Sequence, residues 1–275
     1  MRIRNNKTTN WPLVSHGNGP GKDTRIFEGI VKYMRESEGW QERVPLNEDL
    51  TVLTWSIPEE DTLLQESFRK MGIETELIVI PITKPFNWLD KIKKTMEYLP
   101  HVKTKYVMGL DSTDIVVSTD REGRGTLWYD MKESFEDMGC SLCFNAEKLN
   151  WPSSEGVGTN IEEDGMNGHL IKSLKETESF EERVYKGFLG SEYYRLNSGA
   201  FIGYTEYTTE FYKTMWDKYV KSVYEKGDDE GLFGGDQGFI RIMQRECFPD
   251  LRIDYNTTLF QTFAGIDEGD VTIYD

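Results

Sequence analysis

Residues 105–114 read KYVMGLDSTD: an apolar run from Tyr106 to Leu110 ends on Asp111, and a second carboxylate, Asp114, follows three positions later. A short apolar run bounded by turn residues predicts a strand buried on both faces, as in a largely parallel sheet. In an open α/β sheet, ligands bind outside the carboxyl ends of the strands, and Asp111 and Asp114 stand there. Two carboxylates on one turn suit a hard divalent cation that also takes phosphate oxygens, as Mg²⁺ or Mn²⁺ does. An Asx turn at the strand end accounts for the same residues without a metal. The aspartyl nucleophile of a phosphatase-like hydrolase needs carboxylates two apart, and here they are three apart.

Outward from this run, further strands are predicted at 50–55 (LTVLTW), 76–81 (ELIVIP), 140–145 (CSLCFN) and 199–204 (GAFIGY). Helical periodicity falls at 24–36, 60–71, 87–98, 206–225 and 236–246. The alternation is that of an α/β fold. Residues 153–190, rich in Gly, Ser, Glu and Asn, read as a long irregular segment of the kind that forms lids. No repeat or linker divides the chain, and 275 residues suit a single domain, 1–275.

A formal charge of -16 opposes a broad electrostatic grip on nucleic acid. The N-terminal stretch has no apolar signal region, and no run approaches the length of a membrane helix. The expectation is a soluble, cytoplasmic protein with no membrane partner. Cys140 and Cys143 form a CxxC within the strand predicted at 140–145. Residues three apart on a strand point to opposite faces, so buried free thiols are expected rather than a zinc site.

Four further stretches carry candidate chemistry. In Ser15-His16-Gly17-Asn18-Gly19-Pro20-Gly21-Lys22, glycines let backbone N–H groups approach a diphosphate, Lys22 supplies a point cation, and His16 can ligate a metal. A plain Gly/Pro turn with a surface histidine explains it equally. Glu147 and Trp151 follow the strand 140–145 and could bond to and stack on a sugar, or be a capping Glu and a core Trp. Asn197 lies in Leu196-Asn197-Ser198-Gly199, which reads as a turn feeding a buried strand. Asp236 and Gln237, after Gly234-Gly235, open a helix where Asp236 could be only a cap.

Taken together these stretches resemble the glycosyltransferase domain of the procollagen lysyl hydroxylases and related GT-A enzymes. That family reads Asp-x-x-Asp after a strand, a Glu followed by Trp-Pro, Leu-Asn-Ser-Gly-Gly-Phe-Ile-Gly, Asp-Asp-Gln, a segment ending in Phe-Gln, and a late His-Gly-Asn-Gly-Pro. Here the counterparts are Asp111 and Asp114, Glu147 with Trp151-Pro152, Leu196 to Gly203, Asp236-Gln237, Phe260-Gln261, and His16 to Pro20. The family's last motif comes first, which implies a circularly permuted GT-A fold. In that case residues 2–4 and 271–274 should run as neighbouring antiparallel strands.

The resemblance implies Mn²⁺ (or Mg²⁺) held by Asp111, Asp114 and His16, bridging the diphosphate of a UDP-sugar. It implies Asn18, Gly19, Lys22 and Asn197 around the nucleotide diphosphate and Thr54 near the uridine. Glu147, Trp151, Asp236 and Gln237 would line the sugar and acceptor side, with residues 153–190 as an acceptor lid. The expected reaction is hexose transfer, with retention, to an acceptor hydroxyl on a glycan, a protein side chain or a modified base. Transfer to hydroxymethylated DNA bases and a non-catalytic sugar-binding role are the alternatives. Three departures stand out: one acidic residue before Asp236 is missing, Thr113 replaces the aromatic residue found between the two aspartates in close relatives, and the segment between Trp151 and Asn197 is much longer than the family's.

Overall fold

The strands, numbered in chain order, are β1 (Arg2–Asn5), β2 (Val14–His16), β3 (Leu50–Ser56), β4 (Leu77–Pro81), β5 (Tyr106–Asp111), β6 (Ile115–Val117), β7 (Leu142–Glu147), β8 (Arg195–Tyr204), β9 (Leu251–Ile253), β10 (Phe260–Thr262) and β11 (Val271–Tyr274). The helices are α1 (Arg25–Glu36), α2 (Leu63–Lys70), α3 (Trp88–Tyr98), α4 (Thr126–Asp137), α5 (Ser154–Gly158), α6 (Met166–Glu181), α7 (Thr205–Met215), α8 (Lys221–Glu225) and α9 (Asp236–Glu246). This is a computed structural model, and it describes residues 2–36, 48–84, 87–117, 126–158, 166–226 and 235–274.

The apolar runs build a six-stranded sheet in the order β4-β3-β5-β8-β7-β9. Only β8 runs against its neighbours; β3 is parallel to β4 and β5, and β7 is parallel to β9. Tyr106 to Leu110 are all buried, as expected for a strand covered on both faces. One core layer packs Trp55, Phe144, Phe201 and Phe211 on one face, and a second packs Phe68, Tyr106, Phe135 and Phe260 on the other. The fold is mixed α/β, and its central sheet is compatible with a Rossmann-like arrangement.

A smaller sheet, β10-β2-β6, stands at the end of β5. Its register aligns His16 with Ile115 on one side and with Thr262 on the other. Asp254, fully buried, accepts the backbone N–H groups of Thr258, Leu259 and Phe260 and so holds the turn into β10. β1 and β11 pair antiparallel, Arg2 opposite Tyr274 and Asn5 opposite Val271, as expected. Ile3 and Val271 pack on Phe27 and Ile30 of α1, while Tyr274 stacks on Trp11 with ring centroids 5.1 Å apart.

Leu196 to Gly199, expected as a turn, lies inside β8, and three further expectations need correction. From Met166 the segment 153–190 is not irregular but helical: α6 continues into a π-helical turn, Glu182–Phe188. Its buried positions Leu170, Leu174, Thr177 and Glu181 recur at helical spacing, but two are polar, so the stripe was hidden from an apolar pattern. Glu181 is satisfied by Arg195 Nη1 at 3.0 Å, by Arg241 and by the Leu196 N–H. Secondly, Cys140 precedes β7 rather than lying in it, so its thiol shares a hydrogen bond with Cys143 instead of facing away; both are buried and free. Thirdly, the helix expected at 206–225 is broken between α7 and α8 by a π-helical turn, Trp216–Val220. No helix among the described residues is long and apolar enough to cross a membrane.

Candidate functional site

The end of β5 delivers Asp111, and the turn into β6 delivers Asp114. The pairing of β2 with β6 then places His16 beside them, with the Gly17 N–H donating to the Asp114 carbonyl at 2.8 Å. His16 Nε2 lies 3.3 Å from Asp114 Oδ1 and 4.0 Å from Asp111 Oδ2. Three ligand atoms, one from each residue, fall within 4.8 Å of one another, close enough for a single coordination shell.

Asp114 Oδ1 is buried and makes no hydrogen bond of good geometry; the group facing it is His16 Nε2, at 3.3 Å. A buried carboxylate oxygen so weakly satisfied is costly, and a cation between Asp114, Asp111 and His16 would satisfy it. One imidazole and two carboxylates form a donor set that suits Mn²⁺ or Mg²⁺. The residues present fit the ion.

Lys91 of α3, which no motif marked, completes the floor. Its Nζ, almost fully buried, sits 2.7 Å from Asp111 Oδ1, 2.9 Å from Asp236 Oδ2 and 3.3 Å from the Ser198 carbonyl. Burial lowers the Lys91 pKa, but the Asp111 and Asp236 carboxylates outweigh it and hold the ammonium charged. Asp236 is the first residue of α9, and its carboxylate goes to Lys91 rather than capping the helix.

A second hydrogen-bonded group surrounds Glu147. Asn18 Nδ2 donates to Oε2 at 2.6 Å and Gln237 Nε2 to Oε1 at 2.7 Å. Gln237 Oε1 accepts the Ser198 N–H at 3.0 Å, and Gln237 Nε2 also donates to the Trp151 carbonyl. Burial pushes the Glu147 carboxyl up to about 7, against the opposing Gln237 bond.

These groups share one cavity of about 540 Å³. Of the residues singled out in the sequence, His16, Asn18, Gly19, Asp111, Asp114, Glu147, Trp151, Asn197, Asp236 and Gln237 line it. Thr54 does not: it is buried, and its hydroxyl donates to the Leu110 carbonyl at 2.8 Å. Lys22 is exposed and outside the lining as well, although its charge reaches Asp114. Gly234 lies outside the described residues. Trp88 and Leu149 line the cavity and went unmarked, because an aromatic at a helix start and an isolated leucine have no motif.

The carboxylates and the histidine set a testable pH dependence. Burial works to lower the His16 pKa, yet Asp114, Asp111 and Glu147 raise it overall. Glu147 is raised to about 7 and Asp254 to about 6, both by burial. A group whose folded pKa exceeds its unfolded value contributes stability below the unfolded pKa and loses it as pH rises through the folded one. For Glu147 that window runs from 4.5 to about 7. Asp114, burdened by burial but shifted down by His16, acts below it. Melting in chelator should therefore drop between about pH 5 and pH 8, and Mn²⁺ should restore it at pH 8 by binding the folded state. A melting temperature that climbs through that interval in chelator would contradict the assignment.

No protein-family model matches this chain, and a search of curated proteins finds no match to it.

Proposed function

We propose that the chain is a metal-dependent glycosyltransferase of GT-A type, circularly permuted, that moves a hexose from a UDP-sugar to an acceptor hydroxyl. The observation that carries the reading is the meeting of His16, Asp111 and Asp114 at the carboxyl end of β5. His16 is far in sequence from Asp111 and Asp114, and the metal reading requires them to meet. The pairing of β1 with β11 supports the permutation. A chain closed through a short linker from β11 to β1 and opened ahead of β3 should still fold and bind Mn²⁺. Failure to fold would count against the permutation.

His16, Asp111 and Asp114 hold the cation in this reading. When bound it supplies Lewis-acid charge for the leaving diphosphate. Lys91 bridges the Asp111 and Asp236 carboxylates and would hold both in place beside the cation. Asp236 and Gln237 flank the anomeric carbon, and Glu147, fixed by Asn18 and Gln237, orients the sugar or receives the acceptor proton. The Gly19 loop turns backbone toward the diphosphate. Retention is the stereochemistry carried by the family resemblance.

The test is hydrolysis and transfer across a panel of nucleotide sugars, with and without Mn²⁺. The expected result is turnover of a UDP-hexose that stops in excess EDTA, with the anomeric configuration of the product read by NMR. Full turnover after exhaustive chelation would end the metal-dependent reading.

A further inference from the structure

We infer that the acceptor is an uncharged saccharide whose ring lies on a platform made by Trp88, Leu149 and Trp151, an inference that rests on the transferase reading above. Trp88 is 47% exposed, Leu149 36% and Trp151 62%, yet all three line the same cavity. Apolar surface gathered at one rim, rather than scattered singly, marks a binding site. The polar floor, with its three candidate metal ligands and its Lys91-held carboxylates, suits the donor diphosphate and sugar. The rim faces whatever enters afterwards.

The backbone that carries the Trp151 indole and the base of the Trp88 side chain are held before any ligand arrives. The carbonyl of Trp151 is bonded by Gln237, and its neighbours Asn150 and Pro152 are bonded by the fully buried Arg241, with Nη2 at 3.0 Å from Asn150 Oδ1. Trp88 is wedged by the backbone at Gly235, where φ is +68° and a Cβ would lie 2.7 Å from Trp88 Cβ. Only glycine accepts both that conformation and that approach. Pre-placed aromatic walls bind with little loss of side-chain freedom.

The chemistry of the walls selects the ligand. A pyranose lays its C–H face on the negative face of an indole and offers hydroxyls to carboxylates and amides. Asp236, Glu147, Asn197 and Gln237 supply those acceptors and donors beneath the rim. No Lys or Arg lines the cavity among the described residues. A phosphodiester chain depends on such cations and would meet instead the four carboxylates of Asp111, Asp114, Glu147 and Asp236. A bare side-chain hydroxyl would leave two indoles unused.

The experiment is saturation-transfer NMR on the full chain with UDP and Mn²⁺. Methyl glycosides of glucose, galactose, xylose and N-acetylglucosamine are the probes, beside a hydroxylysine peptide and a hydroxymethylcytosine oligonucleotide. The expected result is contact with at least one glycoside. Trp88→Ala and Trp151→Ala should each weaken it about 10-fold or more, as loss of an aromatic contact does. Trp88→Phe, which keeps a ring, should stay within about 3-fold, and Trp11→Ala, on the remote β1–β11 face, should bind as wild type. Binding of the peptide or the oligonucleotide with no glycoside bound overturns the inference, as does wild-type glycoside binding by Trp88→Ala. UDP-sugar hydrolysis is followed in parallel. Hydrolysis without glycoside binding removes the saccharide acceptor alone. Glycoside binding that depends on Trp88, without any metal-dependent hydrolysis, keeps the platform and removes the transferase reading.

Discussion

Asp114→Ala should lose Mn²⁺ binding and transfer by more than about 100-fold while melting close to wild type. Outer partners of a metal typically cost 10–100-fold when removed, so loss of a direct ligand should exceed that range. Asp114 Oδ1 faces His16 Nε2 at 3.3 Å, so its removal costs the imidazole one neighbour but leaves the Asp111 carboxylate beside it. Asp111→Ala should lose the metal equally but also destabilise the fold, because Asp111 is one of two carboxylates compensating the buried Lys91. Breaking one partner of a buried ion pair costs about 3–5 kcal/mol, and the surviving Asp236 should hold the loss near or below the lower end. Calorimetric Mn²⁺ titration and thermal melts separate the two variants. Asp114→Ala with wild-type Mn²⁺ affinity would remove it from the ligand set.

The sequence was most readable where burial and chemistry coincide. Tyr106 to Leu110 is apolar throughout because both faces of β5 are covered, and the strand end that this run predicts carries the His16, Asp111 and Asp114 cluster. The three-residue strands β2, β6 and β10 are too short to show a period, and yet their pairing is what brings His16 to Asp114. That meeting was legible only through the motif His16 to Pro20. Lys91 could not be found at all: Lys93 and Lys94 follow it on the same helix, and only the fold decides which of the three is buried. Thr54 lies in β3 beside β5, but its hydroxyl turns to the Leu110 carbonyl, a choice of rotamer that no spacing encodes. α6 was obscured for a different reason. Its inward stripe includes Thr177 and the charged Glu181, tolerated there because Arg195 and Arg241 pair with the carboxylate.

The largest effect from a residue that touches no ligand should come from Gly199→Ala. Gly199 lies in β8 directly over the His16 ring, and an added Cβ would fall 2.0 Å from His16 Cε1 and 2.8 Å from both ring nitrogens. No real Cβ approaches a ring so closely, so either the imidazole turns or the strands part. His16 cannot swing outward freely, being buried in a strand paired on both sides. Asn145 Nδ2 also stands 3.4 Å behind Nδ1. The expected outcome is an imidazole displaced from Asp111 and Asp114, with Mn²⁺ affinity reduced about 100-fold or more, and an overpacking cost of about 1–3 kcal/mol. The control is Gly29→Ala in α1, where the nearest atom to an added Cβ is Ile273 Cδ1 at 3.9 Å. A glycine-to-alanine change inside a helix with open space should stabilise by about 0.5–1 kcal/mol and leave Mn²⁺ binding alone. Mn²⁺ titration of both variants decides the matter. Equal affinities would mean that the His16 ring has room the geometry denies, and that the metal centre does not depend on its position. A large loss confined to Gly199→Ala would tie the missing side chain of one glycine to the coordination of the ion.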